Sequence, residues 1–130
     1  MDGMFVRDMF QISSLIDRFA TRGKPLHITG VQVPSGTGTD RGDAWGGSVS
    51  VDGGGRWWDD WSEELQSRWL RSFYEIALSK TMVDTVTWRD LADTGNHYLP
   101  HGGLLHEDLT PKPAYEQLLA IRKSIMSNGD

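Results

Sequence analysis

An α/β protein with parallel strands is the class this sequence predicts, because the hydrophobic spacing runs helix, strand, helix, strand, helix along the chain. Three segments repeat their apolar residues at steps of three and four. Two short runs between them are rich in β-branched residues. With 130 residues, 38% hydrophobic and 24% charged, the chain has the makeup of one folded domain rather than a disordered tail.

The elements follow in order. Over residues 5–20, Phe5, Met9, Ile12, Leu15, Ile16 and Phe19 mark one buried helix face, and Arg22-Gly23 supplies a cationic last turn and a glycine stop. Residues 26–33 alternate as a strand, closed by Pro34-Ser35-Gly36. Residues 34–60 hold most of the glycine, several aspartates and three of the six tryptophans, which predicts a long surface loop with no regular element. Ser62 is the expected N-cap of a second helix, followed by Glu63, Glu64 and Leu65, with Trp69, Phe73, Ile76 and Ala77 at helical spacing up to Lys80. Residues 82–88 return to strand composition, and residues 89–111 form another loop. A third helix over 112–126 carries Tyr115, Leu118, Leu119, Ile121, Arg122 and Ile125.

Composition excludes some functions. A net charge of -5 with no Lys or Arg run argues against nucleic acid as a partner. Zero cysteines exclude a disulfide framework and any thiolate zinc site, and leave the compartment open. The acidic start Met1-Asp2-Gly3-Met4 lacks the pattern of a secretory signal, so any export signal belongs to a longer parent, and no segment is long enough to span a bilayer. Gly53-Gly54-Gly55 lacks the Lys-Ser/Thr of a phosphate loop, and no nucleophile elbow is present. A neutral substrate or a protein partner fits this balance.

Two stretches carry a family resemblance. Gly23-Lys24-Pro25-Leu26-His27-Ile28-Thr29-Gly30 resembles the seventh barrel strand of glycoside hydrolase family 10, the endo-β-1,4-xylanase family, where Ile-Thr-Glu ends the strand with the nucleophile. Val86-Thr87-Trp88-Arg89-Asp90-Leu91-Ala92-Asp93, then Gly102-Gly103-Leu104-Leu105, then Pro111-Lys112-Pro113-Ala114-Tyr115, is similar in order and spacing to that family's eighth strand, following loop and last helix. The resemblance implies that residues 1–130 are a C-terminal fragment of a (β/α)8 TIM barrel: the last two βα units preceded by one helix. A complete barrel needs eight strands and typically about 250 residues. A two-strand piece is expected to leave unpaired edges and one uncovered apolar face.

Retaining glycosidases need two carboxyl groups about 5 to 5.5 Å apart, one as nucleophile and one as acid/base. By resemblance the nucleophile belongs at Gly30, and the acid/base belongs on a fourth strand that this chain lacks. Glycine has no side chain to attack or to hold charge, so no catalytic residue is intact. A glycine needed for backbone geometry is the alternative reading of Gly30. Arg89 departs from the family too, since relatives usually place a second tryptophan there to floor the sugar; as a candidate substrate contact it can hydrogen-bond hydroxyls but offers no comparable stacking face. Trp88 is either a sugar-subsite residue or core packing.

Trp45, Trp57, Trp58 and Trp61 cluster near Asp59 and Asp60, and Trp57 and Trp58 are the candidate sugar-stacking surfaces. The competing reading has Trp61 and Trp69, with Trp57 or Trp58, pinning the loop onto its own helix. Asp40, Asp43 and Asp52 match no EF-hand spacing, and His97, His101 and His106 fall in one loop without a carboxylate shell, so no metal and no cofactor is expected. Asp93 is expected to anchor its loop as a hydrogen-bond acceptor, and His27 to be a satisfied interior residue.

The resemblance therefore implies a polysaccharide- or oligosaccharide-cleaving parent and a chain that is itself inactive. Two alternatives stand beside it. One is a non-catalytic carbohydrate-binding module using the tryptophan loop. The other is half of a split barrel, partnered by the missing N-terminal barrel portion.

Overall fold

A computed structural model gives the architecture, and it describes residues 7–37, 39–40, 49–50, 57–94, 99 and 101–128. The first helix, α1 (Met9–Ala20), begins later than its apolar spacing predicts. Asp8 is the reason. Its backbone is extended, and its carboxylate accepts the Gln11 N–H at 2.9 Å, which satisfies a first-turn donor and fixes the boundary. Phe5 lies outside the described residues. At the other end Gly23 takes φ +73, the left-handed stop expected of it.

Strand β1 (Leu26–Val31) pairs in parallel with β4 (Val83–Trp88), and α2 (Glu63–Ser79) makes the crossover between them. Helix α3 (Pro113–Asn128) follows. β1 is two residues shorter than the sequence predicts. Gln32 and Val33 continue as buried coil once the partner strand ends at Trp88, and the Val33 carbonyl goes to the Gln66 side chain at 3.0 Å instead of a ladder. Ser62 caps α2 as predicted, accepting the Leu65 N–H at 3.1 Å. The loop after β1 is not without regular structure: β2 (Thr39–Asp40) and β3 (Val49–Ser50) form a short antiparallel pair. Strand propensity alone does not mark so brief a pairing, whose stability rests on its cross-strand partners.

The pairing of β1 with β4 is irregular twice. Three steps on β1, from Ile28 to Val31, oppose two on β4, from Val86 to Trp88, so Thr29 and Gly30 form a bulge. A second shift, between Leu26 and His27, places the extra residue on β4.

The core sits between the sheet and the helices. Leu65, Trp69, Leu70, Phe73, Tyr74 and Ala77 of α2 are buried, and Leu26, Ile28, Val83 and Val86 pack against them. Trp69 stacks on Phe73 with centroids 5.0 Å apart and meets Trp88 edge-on at 6.4 Å.

The opposite sheet face corrects an expectation. It is uncovered, but it is not apolar: the exposed strand residues are His27, Thr29, Gly30, Asp84, Thr85 and Thr87. The exposed large apolar groups lie on the helices and loops instead, with Phe10 81% and Phe19 57% exposed on α1, Ile125 and Met126 exposed on α3, and Leu91 and Leu109 exposed in loops. A groove of about 460 Å³ between α2, β4 and α3 is lined by Tyr74, Leu78, Val86, Leu118, Ile121 and Ile125. No described helix is long and apolar enough to cross a membrane.

Candidate functional site

The C-terminal ends of β1 and β4 lie side by side, which is where a parallel barrel carries its chemistry. Gly30 stands there with φ +69, a conformation that a side chain strains. A Cβ at this position would lie 3.3 Å from Arg89 Nη1, so the guanidinium rests against bare backbone. The Arg89 N–H donates to the Val31 carbonyl at 2.8 Å, which fixes where that side chain leaves the strand, and the residue is exposed. Gly30 thus has a backbone requirement of its own, in addition to lacking a nucleophile.

Trp88 lies beneath this mouth and is 9% exposed. Its indole N–H donates to the Gly102 carbonyl at 2.8 Å and its ring abuts Trp69, so it packs as core. Trp57 is half-buried against the core, with Trp58 edge-on to it at 6.3 Å. Trp58 is 80% exposed and takes φ 68, and it is the described tryptophan that offers a face to solvent. Trp61 and Trp69 are buried, as the loop-pinning reading expects. Trp45, Asp43, Asp52 and His97 lie outside the described residues.

Behind the mouth is a polar hub that the spacing analysis does not find. Lys112, with its side chain 1% exposed, reaches Asp93 Oδ2 at 2.6 Å, Ser35 Oγ at 2.9 Å and the carbonyls of Gly103 and His101. Gln66, fully buried on α2, donates to the carbonyls of Val33, Gly103 and His101. Asp93 also accepts the Gly103 N–H at 2.9 Å, the loop-anchoring role expected of it. Both loops that follow the strands are thereby tied to the starts of α2 and α3. The sequence signal for Gln66 is a polar residue within the apolar face of α2. For Lys112 it is a lysine directly before the helix-starting Pro113.

Gly103 closes the hub by close approach. A Cβ there would fall 2.5 Å from the Ala92 carbonyl carbon, so a side chain is excluded by backbone.

The histidines separate. His106 Nε2 pairs with Glu63 Oε1 at 2.9 Å across a loop and helix, and exposed His27 pairs with Asp84 at 3.1 Å on the open sheet face. His27 is thus partnered, though at the surface and not in an interior. An open cleft of about 700 Å³ is lined by Asp93, His101, His106, Glu107, Asp108 and Thr110. Hydrogen bonds from Thr110 hold the Asp108 carboxyl below its usual pKa. Among the described residues, no group of three or more His, Asp or Glu side chains is placed to hold a metal ion.

No protein-family model matches this sequence, and no curated protein does. Solved structures do. The β-glucuronidase of Ruminococcus gnavus matches with a TM-score of 0.59 at 19% identity, over 88% of this chain and 19% of that one. The same enzyme in complex with uronic deoxynojirimycin matches with a TM-score of 0.56 at 19% identity, over 85% of this chain and 18% of that one. What they share is the fold. The two parallel strands and their helices superpose on part of those structures, and the chain spans less than one fifth of their length.

Proposed function

We propose that this chain is the last two βα units, preceded by one helix, of a barrel similar to glycoside hydrolase family 10. Enzymes of that family cleave xylan or a related β-1,4-polysaccharide by the retaining double displacement, and this 130-residue chain, with Gly30 at the nucleophile position and no acid/base strand, is itself inactive. The sequence motifs support the family, and the likeness to a glycosidase supports the barrel. The observation that carries the inactivity is Gly30. The position at the strand end where the resemblance puts the nucleophile has no side chain, takes φ +69, and has Arg89 Nη1 3.3 Å from where a Cβ would stand. Without a carboxylate there, no glycosyl-enzyme bond forms.

The test is release of reducing sugar from xylan, and of nitrophenol from 4-nitrophenyl β-D-glucuronide, by the purified chain. No release above a mock preparation is expected from either. Turnover of xylan would overturn the inactivity. Turnover of the glucuronide would overturn the inactivity and the substrate class together.

Trp58 supports the second reading, a carbohydrate-binding module, because an indole 80% exposed is available for stacking. Retention on insoluble xylan that falls in Trp58→Ala supports that reading, and no retention at micromolar protein removes it.

A further inference from the structure

The open face of the sheet is a strip of polar groups ending in a cation. Side chains alternate across a strand, so Thr85, Thr87 and Arg89 share one face of β4 and its extension. All three are exposed, and β1 adds exposed His27, which is in register with Thr85, and Thr29. His27 and Asp84 pair at one end. At the other end, Gly30 leaves a gap in the row of side chains, and the Arg89 guanidinium lies across it.

Hydroxyls in rank suit the hydroxyls of a sugar ring, but among the described residues the strip has no stacking surface, because Trp88 is turned into the core. A neutral sugar would find little here to bind it. Arg89 is exposed, and a guanidinium presents its donors in a planar fork that matches a carboxylate. The chain's net charge of -5 supplies no general attraction for anions, so selectivity for an acidic ligand has to come from a local contact such as this one.

We propose that this strip binds an acidic sugar, a uronate unit of an oligosaccharide, with Arg89 taking its carboxylate and Thr87 and Thr29 facing its hydroxyls. The inference rests on the glycan reading above and narrows its ligand class. The loss of the nucleophile position then accompanies a gain of recognition, since any side chain at position 30 would crowd the guanidinium.

The experiment is an NMR titration of the ¹⁵N-labelled chain with xylotetraose and, separately, with xylotetraose bearing one glucuronic acid branch. The acidic sugar is expected to bind at least about tenfold tighter, shifting the Gly30 and Arg89 amides and the Arg89 side-chain Nε. Arg89→Gln is expected to abolish the preference, Arg89→Lys to keep part of it, and added salt to reduce it. Equal affinity for the two sugars overturns the carboxylate contact while leaving the glycan reading standing. A preference that survives Arg89→Gln also overturns it. No shift with either sugar overturns both.

Discussion

Lys112 Nζ sits 2.6 Å from Asp93 Oδ2 with the lysine side chain 1% and the aspartate 15% exposed. A charge so deeply placed persists because its remaining protons are also taken, by Ser35 and by carbonyls of the loop it holds. The first prediction is that Lys112→Met destabilises the fold by about 3–5 kcal/mol, by leaving the Asp93 carboxylate buried without its cation. Adding Asp93→Asn should recover part of that loss. Urea unfolding of the two variants measures both, and a Lys112→Met cost below about 1 kcal/mol would mean that the hub does not hold the loops.

The second prediction separates the two constrained glycines. Gly30→Ala meets only backbone strain and the movable tip of Arg89, and should cost about 1–2 kcal/mol. Gly103→Ala meets the Ala92 backbone and should cost more, with visible loss of expression. Thermal melts of both check the order, and the reverse order would contradict the close approach at Gly103.

Tryptophans form the third. Trp69, 1% exposed and stacked on Phe73, should cost about 3–5 kcal/mol on change to alanine. Trp58, 80% exposed, should stay within about 0.5 kcal/mol. Denaturation of each variant gives the values, and a large cost at Trp58 would place it in a packing role.

The fourth concerns pH. Burial pushes the Tyr74 hydroxyl up from 10.0 to about 12, because the phenolate loses its solvation. Between those values the unfolded chain releases the tyrosine proton and the folded chain keeps it, so stability falls as pH rises. The contribution is fully present below pH 10 and is lost through pH 12, amounting to about 2–3 kcal/mol at the end. Melting temperatures from pH 9 to 12 should fall less steeply in Tyr74→Phe than in the parent. Identical slopes would show that another group carries the effect.

Local chemistry was legible in the residues themselves. Ser62 and Gly23 mark a helix start and stop through interactions spanning three residues or fewer, so their types suffice. Asp8 is an equally local signal, and it outranks the apolar spacing that suggests a longer α1. The hub around Lys112 is different in kind. Its partners include Ser35, 77 positions away, and Gln66 reaches carbonyls 33 to 37 positions away, so no window of sequence contains the set.

Residue order and spacing were enough for the α/β class, the order of the two parallel-strand units and the helix faces that bury, because these follow from periodicity and capping within a few residues. They also placed Gly30 and Arg89 at strand ends. Tertiary packing settled that Trp88 turns inward, that the uncovered sheet face is polar and that Arg89 lies beside Gly30. Each of these depends on the register between β1 and β4, where one inserted residue at the Thr29-Gly30 bulge changes which groups stand opposite each other.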